Sequence, residues 1–187
     1  MNAKVKTVAG IAALVLAVTA AVLAYNTLSR QSPGGNNLNI ALGGENGTEN
    51  TKAPDFSVID VAGNSVKLSD MEGKPVVINF WASWCPPCRI EMPDFDRVYK
   101  DTGAEVKFMM VSLVDGQRET VETASRFIND GGFSFPVYFD TAREAAIAYG
   151  IRSIPTTFFI DKGGYIITGI QGMINEETLR RGIDLIR

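Results

Sequence analysis

Val76-Val77-Ile78-Asn79-Phe80-Trp81 runs without a charge into Ala82-Ser83-Trp84-Cys85-Pro86-Pro87-Cys88. A nearly unbroken apolar run of this kind is the pattern of a central β-strand covered on both faces. A helix is expected to begin after Cys85, with Met92, Phe95, Val98 and Tyr99 on one face and Pro93 bending it. The cysteine pair thus stands where a strand ends and a helix starts, the position at which open α/β sheets place their functional sites. A helix amino terminus offers unpaired N–H groups and partial positive charge, so a cysteine there has its thiolate favoured. Cys85, first and outermost, is the nucleophile candidate, and Cys88, one turn on and further inside, is the candidate that resolves a mixed disulfide on Cys85. A purely structural staple is the weaker reading, because a bridge closing so short a loop gains little. Metal binding would need two carboxylates to complete one cysteine pair.

Other residues join this centre by their spacing. Glu91 lies three residues after Cys88, on the same helix face. It is either a proton acceptor for Cys88, provided burial raises its pKa, or an ordinary solvated carboxylate. Ile154-Pro155-Thr156-Thr157 leads into a late strand; proline cannot donate to a ladder, so Pro155 reads as a strand opener with an ordinary trans bond. Trp81 is read as core and Trp84 as an apolar rim for a peptide partner. Phe133-Ser134-Phe135-Pro136 reads as a packing patch.

Working outward, Phe56 to Asp60 and Ser65 to Leu68 flank Ala62-Gly63-Asn64 and predict an entering β-hairpin. Val106 to Leu113 is a second buried strand. Glu119 to Asp130 is helical by the spacing of Val121, Ala124 and Ile128, ended by Gly131-Gly132. A short strand at Phe135 to Phe139 and a short helix at Thr141 to Tyr149 follow. Thr156 to Asp161 and Tyr165 to Gly169 form an antiparallel pair across Lys162-Gly163-Gly164. A last helix starts near Glu176 with Asn175 as its N-cap and Leu179, Ile183 and Ile186 turned inward. This alternation predicts an α/β fold: a mixed sheet with helices on both faces.

Ahead of this domain, Thr7 to Ser29 carries no charge and is mostly Ala, Val, Leu and Ile, flanked by Lys4, Lys6 and Arg30. It is long enough to cross the roughly 30 Å hydrocarbon core and longer than the usual signal-peptide core of about 7–15 residues. An uncleaved anchor over 7–29 is therefore favoured over a cleaved signal, with residues 1–6 cytoplasmic by the positive-inside tendency. Residues 30–53 are rich in Gly, Asn, Ser and Thr and read as a flexible tether, leaving 54–187 as the folded domain.

The 187 residues contain no histidine and two cysteines, which excludes Ser-His-Asp and Cys-His centres and zinc sites built from Cys and His. A net charge of −3 with scattered lysines and arginines leaves no footprint for nucleic acid.

The WCPPC motif after an apolar strand, Arg89-Ile90-Glu91-Met92-Pro93 behind it, Ala53-Pro54-Asp55-Phe56 at the start and the Ile154-Pro155-Thr156 segment before a hairpin resemble the thioredoxin superfamily. Within it, the chain resembles the membrane-anchored extracytoplasmic TlpA/ResA-like thiol-disulfide oxidoreductases over about residues 53 to 187. The resemblance implies that Cys85 attacks and Cys88 resolves, that Pro155 is cis and faces the pair, and that Glu91 has a proton-transfer role. It also implies that Asn79 occupies the position of the buried aspartate of cytoplasmic thioredoxins, that residues 119 to 130 with the next strand form a central insertion, and that Trp84, Pro86, Pro87, Ile154 and Pro155 meet the partner. The expected function is disulfide reduction in protein partners outside a bacterial cytoplasm, with no cofactor, the domain acting as a monomer fed by a transmembrane electron donor. Apocytochrome c and a methionine sulfoxide reductase are the partners that the resemblance implies. A disulfide-forming oxidase or isomerase would use the same residues, and a redox-silent binding module would keep only the fold. Pro86 and Pro87, lacking N–H groups, favour the reductive side weakly.

Overall fold

A computed structural model of the chain describes residues 18–20 and 51–187. Most of the expected anchor over 7–29 and most of the tether lie outside them; within the anchor, residues 18–20 are helical and exposed. Among the described residues no helix is long and apolar enough to cross a membrane.

Residues 51–187 build one eight-stranded mixed sheet in the order β1-β8-β7-β4-β5-β6-β2-β3. The strands are β1 (Thr51–Lys52), β2 (Ser57–Asp60), β3 (Ser65–Lys67), β4 (Val76–Trp81), β5 (Lys107–Ser112), β6 (Val137–Phe139), β7 (Thr156–Ile160) and β8 (Tyr165–Gln171). The helices are α1 (Pro86–Thr102), α2 (Val121–Gly131), α3 (Glu144–Ala148) and α4 (Glu176–Asp184), with a 3-10 turn at Leu68–Met71. β4 is parallel to β5 and antiparallel to β7, so the strand carrying the motif is central, as its all-apolar pattern requires. Side-chain alternation along β4 divides the core: Val77 and Trp81 face α1, α2 and α4, whereas Val76, Ile78 and Phe80 pack with Tyr149 and Phe158 on the α3 side. Asn79 shares the α1 face and is fully buried there.

Local chemistry explains the element ends. Asp60 accepts from the backbone N–H groups of Ala62 and Asn64 and so fixes the β2–β3 turn. Gly132, at φ 64°, closes α2 in the left-handed region, and Asn175 caps α4 by accepting from the Thr178 N–H at 3.0 Å. Three elements start two residues or more later than expected. The helix expected from Glu119 starts at Val121 because Thr120 is its cap, accepting from the Thr123 N–H. The strand expected from Phe135 starts at Val137, since Pro136 has no N–H for the ladder. The helix expected from Thr141 starts at Glu144, because Arg143 is held at φ 61° and the Asp140 carboxylate accepts from the Ala145 and Ala146 N–H groups. The residues Thr51 and Lys52, within the segment read as tether, pair antiparallel with β8 at Ile166 and Tyr165.

Candidate redox site

The site is built where β4 ends. Ala82, Ser83 and Trp84 turn the chain, Cys85 is the N-cap of α1, and Pro86 and Pro87 fill the first two helical positions, where a missing N–H costs nothing. Because neither proline can donate, the first N–H available to the cap is that of Cys88, which reaches Cys85 Sγ at 3.4 Å. Cys85 and Cys88 form a disulfide with their Cα atoms 5.3 Å apart. Cys85 is 3% exposed and Cys88 fully buried, so Cys85 is the sulfur nearer to solvent.

Ile154-Pro155 is a cis peptide, which corrects the trans reading made from the residues alone and agrees with the resemblance. Local sequence leaves the two isomers of an X-Pro bond within about 1 kcal/mol, so tertiary context decides. The loop before β7 brings the Ile154 carbonyl oxygen to 3.7 Å from Cys85 Sγ. Pro155 itself is buried, and its carbonyl accepts from the Gly172 N–H at 2.8 Å.

One helical turn beyond Cys88, on the same face of α1, lies a buried polar group. Glu91 is 1% exposed; its Oε1 accepts from Asn79 Nδ2 at 2.8 Å and its Oε2 from the Ile174 N–H at 3.0 Å. Asn79 also donates to Thr157 Oγ1 at 3.0 Å. Burial pushes the Glu91 carboxyl up to about 8, against the pull of the Ile174 and Asn79 donors. Glu91 is therefore mostly protonated at neutral pH in the disulfide form and is not a solvated helix carboxylate.

In front of the disulfide is a cleft of about 630 Å³ lined by Trp84, Cys85, Pro86, Leu113, Val114 and Ile154 among others; Cys88 is not in its wall. Pro87 lines it too. Trp81 is sealed in the core against Phe127, whereas Trp84 is 39% exposed with the Arg118 guanidinium 3.7 Å over its ring. Trp81 is thus a core residue, and Trp84 stands at the rim of the cleft. Phe133 and Phe135 stack at 5.4 Å and pack toward α2, as expected for the patch.

Sequence reasoning missed Glu119. Its carboxylate is fully buried, with Oε1 accepting from the Ser83 N–H at 2.9 Å and Ser112 Oγ at 2.9 Å and Oε2 from Ser83 Oγ at 2.6 Å. It ties the turn that leads into Cys85 to the end of β5 and the start of α2. A glutamate just ahead of a helical pattern looks like any first-turn acid, so no local signal marks it. Among the described residues no cluster of Cys, Asp and Glu is arranged to hold a metal ion.

With this geometry in place, comparisons with known proteins are specific. Residues 50–168 match the AhpC/TSA family. The thiol-disulfide oxidoreductase ResA of Bacillus subtilis is 33% identical over 151 residues, covering 79% of this chain and 81% of that protein. The ResA of Geobacillus kaustophilus is 36% identical over 138 residues, covering 72% of this chain and 76% of that protein. Among solved structures, a thiol:disulfide interchange protein of the thioredoxin family from Chlorobium tepidum superposes with a TM-score of 0.66 at 28% identity, covering 75% of this chain and 99% of that one. StoA from Bacillus subtilis superposes with a TM-score of 0.61 at 28% identity, covering 70% and 96%.

Proposed function

The chain belongs to the AhpC/TSA family and is a thiol-disulfide oxidoreductase of the ResA type, and from that premise we propose that it reduces disulfides of protein partners outside the cytoplasm, held at the membrane by residues 7–29. The observation that carries the reading is the division of labour across the disulfide: Cys85 faces the cleft, while Cys88 is sealed off on the side of the buried Glu91.

In the dithiol form, the Cys85 thiolate attacks one sulfur of a partner disulfide. The partner S–S bond breaks, a Cys85–partner mixed disulfide forms, and the departing partner thiolate takes up a proton. Cys88 gives its proton to the Glu91 carboxylate and attacks Cys85 Sγ, which forms the Cys85–Cys88 disulfide and releases the second partner thiolate, protonated from solvent. Two electrons have passed to the partner. An external dithiol restores the chain by the reverse steps: its thiolate attacks Cys85 Sγ, Cys88 leaves as thiolate and takes a proton from Glu91, and the dithiol's second thiolate then attacks its own sulfur bound to Cys85, closing its disulfide and freeing the Cys85 thiolate. At an oxidising cell surface that dithiol must come from across the membrane, which is why a tethered domain fed by a transmembrane electron donor is the coherent arrangement. Apocytochrome c and methionine sulfoxide reductases remain the partner classes proposed by resemblance, met through Trp84, Pro86, Pro87, Ile154 and Pro155.

The test is to replace Cys88 with alanine in the reduced full chain and offer a disulfide-containing protein. A covalent adduct on Cys85, resolved on a non-reducing gel and reversed by dithiothreitol, is expected. Its absence, with Cys85 confirmed as a free thiol, removes exchange through Cys85 and leaves a binding module.

A further inference from the structure

The cleft beside Cys85 is lined by arginines that no ion pair satisfies. Arg97, Arg180, Arg181 and Arg187, on α1, α4 and the C-terminus, each pair with a carboxylate. Arg143 and Arg152, which line the cleft, form no ion pair among the described residues, and neither do Arg89 and Arg126 outside its lining; Arg118, stacked on the wall residue Trp84, forms none but lends its charge to Asp115. Two acids also line it, and backbone N–H groups engage both oxygens of Asp140 and one oxygen of Asp115. Asp115 Oδ1 accepts from the N–H groups of Gln117, Arg118 and Glu119, and Asp140 accepts from those of Ala145 and Ala146. What the cleft offers an incoming chain is therefore chiefly guanidinium, the Asp140 carboxyl being taken up by the backbone and that of Asp115 in part.

Arg143 adds an independent sign. It is the one described non-glycine residue at positive φ, 61°, a conformation that glycine adopts without steric cost. The side chain kept there makes no hydrogen bond or ion pair with any described residue that would offset the backbone strain. Non-glycine residues in this region collect at sites of function.

Resting on the oxidoreductase reading, we propose that Arg143 and Arg152, with Arg118 beside them, select polypeptide segments carrying acidic side chains next to the disulfide to be reduced. The occupant is an extended peptide. The cleft volume of about 630 Å³ suits a few residues, its wall of Trp84, Leu113, Val114 and Ile151 suits apolar contact, and the unpaired arginines lie on the same lining as Cys85. Planar guanidinium groups match carboxylates bidentately, and pairs at a rim act chiefly on the rate of encounter and on partner choice.

The experiment uses the full chain, purified in mild detergent and reduced, with three synthetic peptides. Each has one intramolecular disulfide and differs only in two flanking residues: glutamate, glutamine or lysine. Stopped-flow tryptophan fluorescence gives the second-order rate for each. The glutamate peptide is expected to react about five- to tenfold faster than the glutamine peptide, with the lysine peptide slowest and the spread shrinking as salt rises. In the double variant Arg143→Gly/Arg152→Gln, whose glycine relieves the backbone at 143, the glutamate-to-glutamine ratio is expected to fall towards one; Arg143→Lys/Arg152→Lys is expected to retain part of it. Equal rates for all three peptides on the unaltered chain, or a ratio untouched by the double variant, overturn the proposal and leave the oxidoreductase reading standing. Failure to reduce any peptide overturns both.

Discussion

Glu91 is the residue whose environment makes the sharpest demand on pH. Its carboxyl is raised from an ordinary 4.5 to about 8, first by burial. Between those values the folded disulfide form holds a proton that the unfolded chain has released. The folded state then binds more protons than the unfolded one, so stability is greatest below about pH 4.5 as far as this group is concerned and falls as pH rises through 8. Moving a carboxyl midpoint by one pH unit between the unfolded and folded chain is worth about 1.4 kcal/mol, so the decline amounts to several kcal/mol. Glu91→Gln keeps the shape and stays neutral, and is expected to flatten that slope, as read by denaturant titrations at a series of pH values. The same variant loses the proton source for Cys88, so opening of the disulfide by dithiothreitol is expected to slow about tenfold to a hundredfold, compared at equal dithiothreitol thiolate concentration. A stability slope that survives the substitution assigns the pH dependence to another group. Spacing alone left Glu91 open between solvent and site, because a side chain's burial is set by elements far away in sequence, here Asn79 on β4 and Ile174 before α4. The same reason hid Glu119 altogether.

At the scale of elements, the closing helix shows how a packing constraint overrides propensity. Gly182 lies in α4, where alanine would ordinarily be better by about 1 kcal/mol. A Cβ placed there would stand 2.2 Å from Cε1 of Phe159, a fully buried ring on β7. Neither the strand nor the ring has room to withdraw, so the overlap outweighs the helical gain. Gly182→Ala is expected to destabilise the fold by about 1–2 kcal/mol net, seen as a lower denaturant midpoint at unchanged slope. A rise in the midpoint would mean that α4 can move off the sheet. The helices and inner strands were legible because their signals are local: the apolar run of β4, the Thr and Asn caps, and glycines where φ turns positive. β1 was not, since two polar residues acquire strand geometry only by meeting the edge of β8. Nor was the cis bond at Pro155 legible from the residues themselves, where tertiary packing decides between two nearly equal isomers.

For the whole molecule, the direction of electron flow depends on how well the fold stabilises the Cys85 thiolate, since a stabilised thiolate makes a protein oxidising. Two features oppose each other. The N-terminus of α1 and the exposed cleft arginines favour the anion, but rim charges are screened by solvent and act weakly. Pro86 and Pro87 remove the two N–H groups that would otherwise sit closest, and the one remaining donor, Cys88 N–H, is at 3.4 Å. A helix cap ordinarily accepts from the second or third helical N–H, so the loss of the second is the larger and less screened effect. The reduction potential of the full chain, equilibrated in defined thiol buffers, is therefore expected nearer thioredoxin's, about −270 mV, than the roughly −120 mV of a strong oxidant. Pro87→Ala returns the missing N–H to the sulfur and is expected to move the potential upward, with about 30 mV for each tenfold change in the equilibrium. A wild-type value close to −120 mV would reverse the assignment: the Cys85–Cys88 disulfide would then be the species passed on, and the chain would form disulfides in its partners instead of opening them.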